Sequence, residues 1–127
     1  MIDTHVWLWW VSEPRRLSRR AREAVETADV LGVPSICCWE VATRAELGKL
    51  HLDRDVSTWV RQALSQERIA PLDLSAQQAL DAALLAREGM HGDAADRIIA
   101  ATAMSLRSPL VTKDRALRSF APLATIW

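Results

Sequence analysis

Residues 30–35, Val30-Leu31-Gly32-Val33-Pro34-Ser35, read as a short apolar strand ending at a cap residue, and a helical pattern over 36–47 begins directly behind it. The same strand-then-helix step recurs in both directions. Upstream, Met1-Ile2 runs into Asp3 and a helix over 4–11, and Leu17, Ala21, Ala24, Val25 and Ala28 space a second helix at its natural period. Downstream, Val56, Trp59, Val60, Ala63 and Leu64 mark an amphipathic helix, 68–73 a short strand, and Ser75 the cap of a helix running to Arg87. The loop Glu88-Gly89-Met90-His91-Gly92 leads into an apolar helix over 94–106; a strand over 109–112, a helix over 113–120 and a strand over 123–127 complete the chain. Strands alternating with helices predict an α/β fold with a parallel sheet covered on both faces. Ligands are then expected beyond the carboxyl ends of the strands, where the strand order reverses.

At 127 residues the chain is expected to form one domain, 1–127, with a single core. No repeat, low-complexity tract or linker divides it. No apolar run approaches the roughly 20 residues that span a bilayer, and Asp3 and His5 interrupt the start where a signal peptide needs an apolar stretch. A cytoplasmic protein with no membrane partner is the expectation. Cys37 and Cys38 are adjacent, which suits neither a disulfide framework nor zinc spacing and reads as small buried side chains. Sixteen basic and sixteen acidic residues cancel, so a polyanion would have to be gripped by local arginines.

Four acids stand at the turning points of this pattern. Asp3 and Asp114 directly follow strands, where each can be an N-cap or a site residue. Asp96 follows Asp93 at capping-box spacing, yet shares a helix face with Ile99, Ala100 and Ala103, so a cap role and a functional role both stand. Glu40 lies off the solvent face of its helix and needs a partner, either Arg44 one turn on or a metal. Carboxylates that converge repel one another unless a cation is shared, and hard divalent cations take oxygen ligands. His5 and His91 flank this region and read as hydrogen-bonding or structural residues.

The chain resembles the PIN-domain ribonucleases and, more narrowly, the VapC-type toxins of bacterial toxin–antitoxin pairs. The matching segments are Asp3-Thr4-His5-Val6-Trp7-Leu8-Trp9-Trp10, Cys38-Trp39-Glu40-Val41, Leu47-Gly48-Lys49-Leu50, His91-Gly92-Asp93-Ala94-Ala95-Asp96-Arg97-Ile98-Ile99-Ala100-Ala101-Thr102-Ala103 and Leu110-Val111-Thr112-Lys113-Asp114. The resemblance implies a single PIN-like domain with a five-stranded parallel sheet in the order 3-2-1-4-5, flanked by helices. It also implies Mg²⁺- or Mn²⁺-dependent endoribonuclease activity on RNA, a cognate antitoxin and a homodimer. By position, Asp3, Glu40, Asp96 and Asp114 match the catalytic, metal-binding acids, Asp93 an accessory acid, and Thr112 a Thr or Ser able to bond a metal-bound water or phosphate. Only Met1 and Ile2 precede Asp3, fewer apolar residues than family members carry, so the first strand is expected to be short.

On this reading Asp3, Asp96 and Asp114 hold the metal, and Glu40 completes the site or orients a water. Arg44, Lys113 and Arg115 are the candidate phosphate contacts, whereas Arg15, Arg16, Arg19, Arg20 and Arg22 read as a solvated face. Trp7, Trp9 and Trp10 cannot all face the core and are candidates for partner contacts or base stacking. Trp59, Val56, Val60 and Ala63 line either the core or a groove for an antitoxin helix. Two other functions fit the acids: a Mg-dependent phosphohydrolase of another α/β family, and a non-catalytic PIN-like interaction domain.

Overall fold

Capping side chains set most of the helix starts in the computed structural model, which describes residues 1–127. Asp3 accepts the Thr4 N–H and opens α1 (Thr4–Ser12). After a 3₁₀ turn at Pro14–Arg16, Ser18 accepts the Ala21 N–H and opens α2 (Arg19–Thr27). β1 (Leu31–Pro34) runs into α3 (Ser35–Glu46) with Pro34 at the N-cap position, one residue before the expected cap at Ser35. No side chain caps α3; the extended backbone of Pro34 makes the turn from strand to helix.

Asp55 caps α4 (Val56–Leu64), which is followed by β2 (Ile69–Leu72). Ser75 and Gln78 form a reciprocal capping box at α5 (Ala76–Leu84), which tightens into a 3₁₀ turn at Leu85–Glu88. Asp93 opens α6 (Ala94–Ser105), then come β3 (Leu110–Val111), α7 (Arg115–Ser119) and β4 (Thr125–Ile126). α7 begins two residues later than the pattern predicts, because Asp114 is its cap and accepts the Leu117 N–H.

The expected five-stranded sheet in the order 3-2-1-4-5 does not form. Two separate two-stranded parallel sheets stand in its place. β1 pairs with β2 in the register Leu31 to Ile69, and β3 pairs with β4 in the register Leu110 to Thr125. The shortness of the first apolar segment accounts for the difference. Ile2 N–H donates to the Gly32 carbonyl at 3.0 Å and Val111 N–H to the Met1 carbonyl at 2.9 Å, so the segment touches both sheets. Two residues suffice only for an isolated bridge between Ile2 and Val111, not for a strand.

That bridge is buried, and it delivers Asp3 to the carboxyl side of both β1 and β3. Ile2, Val33, Val41, Ile99, Leu110 and Leu117 are fully buried around it. Ala100, Ala101 and Ala103 of α6 are buried as well, and α6 packs along α5 and against α3. Cys37 is buried and Cys38 half-buried, both as free thiols. Trp59 is buried edge-on against Trp7, with ring centroids 5.2 Å apart, so it belongs to the core, and with Ala63 it also forms the floor of a surface cavity beside Leu52 and Arg54. No helix is long and apolar enough to cross a membrane.

Candidate active site

Asp3 is 4% exposed and hydrogen-bonded on both oxygens. Oδ1 accepts the Thr4 N–H at 2.6 Å; Oδ2 accepts the Thr112 hydroxyl at 2.5 Å and lies 3.2 Å from His5 Nδ1. Thr112 is itself fully buried and accepts the Asp114 N–H at 3.0 Å. Its hydroxyl proton goes to Asp3, so Thr112 orients two acids rather than facing a phosphate. His5 Nε2 accepts the Lys113 N–H at 2.9 Å, which leaves its ring proton on Nδ1, aimed at Asp3. Burial holds His5 below its usual pKa, in keeping with a neutral ring, and burial raises the Asp3 carboxyl although His5 and Thr112 oppose the rise.

Glu40 projects from α3, half-buried, and its Oε2 accepts the Thr4 hydroxyl at 2.5 Å. Thr4, not Arg44, is therefore its partner. Burial raises the Glu40 carboxyl, and Asp3 and Asp93 add to the rise. Thr4 went unrecognised in the sequence; the available signal was a hydroxyl beside Asp3 at the first position of a helix.

Asp96 closes a reciprocal capping box with Asp93 at the start of α6. Asp93 Oδ1 accepts its N–H at 3.0 Å, and Asp96 Oδ2 accepts the Asp93 N–H at 3.3 Å. Burial, then Asp93, Asp114 and Asp3, push the Asp96 carboxyl up to about 7. The bare backbone of Gly92 admits this side chain, since a Cβ there would lie 2.9 Å from Asp96 Cβ. The Arg97 guanidinium donates to the Gly92 carbonyl at 2.7 Å and holds the loop in place.

Asp3, Asp96 and Asp114 thus act on one another electrostatically, and Glu40 joins through Asp3. Yet no group of three or more His, Cys, Asp or Glu side chains is gathered tightly enough to hold a metal ion as it stands. The reason is local: each carboxylate is tied to its own donor, Asp3 to Thr112, Glu40 to Thr4, Asp96 to Asp93 and Asp114 to Leu117. The donor set is all oxygen and mutually repelling, the chemistry that suits a hard divalent cation.

The PIN domain pattern matches residues 1–122. The chain belongs to the PIN-domain family. It is 40% identical over 119 residues to ribonuclease VapC22 of Mycobacterium tuberculosis, across 94% of this chain and 89% of that protein. Among solved structures it is similar to DNA-bound VapBC from Salmonella typhimurium, with TM-score 0.73, 24% identity and coverage of 98% and 94% of the two chains. It is also similar to a toxin–antitoxin complex from Klebsiella pneumoniae, with TM-score 0.66, 20% identity and the same coverage. It is a PIN-domain protein related to VapC-type toxins.

Around the acids of this PIN domain the basic residues divide. Lys113 and Arg115 line an open groove with His5, Trp9 and Asp114. Arg44 is exposed on α3 and acts on Glu40 and His5 as a nearby charge, without a hydrogen bond to either. Arg15, Arg19, Arg20 and Arg22 form the exposed face expected of them, but Arg16 lies 4.3 Å over the Trp9 ring. Val56 and Val60 line a second, apolar groove with Trp39, which is 60% exposed. His91 is exposed.

Proposed function

We propose that the chain is a metal-dependent endoribonuclease toxin that hydrolyses RNA phosphodiester bonds and is neutralised by a cognate antitoxin. The observation that carries this reading is the Asp96 carboxyl, raised to about 7 by burial and by three other aspartates. Such a concentration of negative charge is costly unless a cation is part of the working site. Likeness to a ribonuclease at 40% identity supports the choice of substrate.

Asp3, Asp96 and Asp114 would hold Mg²⁺ or Mn²⁺, with Glu40 completing the set. A bound divalent cation supplies charge neutralisation at the phosphate and a more acidic water. The chain's own residues prepare for it. Thr112 fixes the Asp3 carboxylate and the Asp114 backbone, and His5, with Nδ1 3.2 Å from Asp3 Oδ2, opposes the rise that burial imposes on Asp3. Thr4 turns Glu40 toward Asp3, where it can accept a proton from an attacking water. Lys113 and Arg115, exposed beside Asp114, suit the flanking phosphates.

The apolar groove of Trp39, Val56 and Val60 is a surface that an amphipathic antitoxin helix would cover, and the Klebsiella structure similar to this chain is a toxin–antitoxin complex. A homodimer is part of the proposal. Cleavage of single-stranded RNA that requires Mg²⁺ or Mn²⁺, stops in EDTA and is lost in Asp3→Asn and Asp96→Asn is the expected result. Turnover of small phosphate monoesters without RNA cleavage would instead identify a phosphohydrolase, and inactivity toward both an interaction domain.

A further inference from the structure

The groove of His5, Trp9, Lys113, Asp114 and Arg115 carries more than positive charge. Its apolar wall is Trp9, half-buried, with its centroid 4.8 Å from the His5 ring and 5.9 Å from the Trp127 ring. Exposed cations lie over these rings. The Arg16 guanidinium is 4.3 Å from the Trp9 centroid, and the Lys113 ammonium is 5.7 Å from Trp9 and 5.9 Å from Trp127.

Interior packing accounts for only part of this cluster, since Trp9 and Trp127 pack against the edge of the core. Trp7, on the same helix, is the indole that fills the core, whereas Trp9 and Trp127 keep part of their surface in solvent. A flat apolar face beside exposed cations matches the two halves of a nucleotide: the base stacks on a ring and the phosphate pairs with the cation. Cation–π contacts at exposed sites are weak, so an arriving phosphate can draw the cations away and free the ring face.

We infer that this groove is a nucleobase-stacking subsite for single-stranded RNA, with Trp9 as the platform and Lys113 and Arg115 on the adjoining phosphates. Asp114 lines the groove and belongs to the acid cluster, so the stacked nucleotide sits next to the bond to be cut. Duplex RNA is excluded, because its bases already stack on one another and offer no free face. The inference rests on the ribonuclease reading for its substrate, but it is tested by binding.

The test uses the full chain in EDTA, a labelled single-stranded RNA and an abasic strand of equal length, read by fluorescence anisotropy. The intact strand should bind about 5- to 150-fold more tightly than the abasic one. Trp9→Ala should lose that advantage while leaving abasic affinity unchanged, and Trp9→Phe should keep most of it. Lys113→Ala should make the dependence on salt shallower, by about 0.7 in log–log slope for one lost contact. Equal weakening of both strands by Trp9→Ala, no weakening of either, or no binding of the intact strand overturns the subsite. Cleavage lost in Asp96→Asn together with an indifferent Trp9 would leave the ribonuclease reading intact and remove only the subsite. Strand discrimination through Trp9 without cleavage in Mg²⁺ or Mn²⁺ would do the reverse.

Discussion

Thr112 donates its hydroxyl to Asp3 at 2.5 Å across 109 residues of sequence, and the same oxygen receives the Asp114 N–H at 3.0 Å. One buried hydroxyl therefore fixes two acids that come from opposite ends of the chain. Thr112→Val keeps the shape and removes both bonds. It should destabilise the fold by about 1–3 kcal/mol and lower RNA cleavage by about 10- to 100-fold, as loss of a ligand-orienting group does. Thr112→Ser should restore most of both. Urea unfolding and a cleavage assay on the same preparations check this, and full activity in Thr112→Val would refute the orienting role.

The Asp96 carboxyl sets a pH dependence whose sign can be worked out. Its ordinary value is 3.8 and its folded value about 7, so between these limits the folded chain keeps a proton that the unfolded chain releases. Stability in EDTA should fall as pH rises through that window and level off above it. Asp96→Asn should remove its share of the slope and raise the urea midpoint at neutral pH. A slope of the same sign should persist from Asp3 and Glu40, which burial also raises. An unchanged pH profile in Asp96→Asn would show that its charge is not the strained one.

Cation binding should relieve the same repulsion. Saturating Mn²⁺ or Mg²⁺ should raise the melting temperature, since a ligand present at 100 times its Kd adds about 2.7 kcal/mol to the folded state. Asp3→Asn and Asp96→Asn should abolish most of the shift while remaining folded. A melting temperature indifferent to both metals would contradict the proposed ligand set.

Two glycines separate site geometry from backbone strain. At Gly92 a Cβ would stand 2.9 Å from Asp96 Cβ and 3.1 Å from Oδ2, so Gly92→Ala must displace the acid and should reduce cleavage well beyond its effect on stability. Gly48 has open space around it but a φ of +66°. Gly48→Ala should cost about 1–2 kcal/mol of stability from the left-handed backbone and leave cleavage unchanged. Equal activity in the two variants would remove Gly92 from the site.

Much of this arrangement was legible in the residues. The period of α2, the Ser75 cap and the Asp93–Asp96 box are local, set by neighbours within one turn, and each appears where the sequence places it. The sheet was not legible. Whether Met1-Ile2 makes a strand depends on partners at Gly32 and Val111, and two residues cannot complete a ladder. The role of Thr4 was hidden for the same reason: its hydroxyl meets Glu40 across 36 residues, and nothing near Thr4 in sequence announces the partner. Asp96 shows why its two readings resisted separation. A carboxylate can close a capping box through one oxygen and still feel the charge of Asp114 and Asp3.

The bridge of Ile2 to Val111 also dictates when the acid cluster comes into being. Asp3 precedes the hydroxyl that fixes it and the acid beside it by about 110 residues, which separates their synthesis by on the order of 5–20 s at ordinary elongation rates. Until Thr112 and Asp114 have emerged, Asp3 lacks the hydroxyl on its Oδ2 and the carboxylate cluster lacks one of its acids. A nascent chain therefore lacks part of this acid cluster until those residues are made, and the proposed activity would have to wait for them.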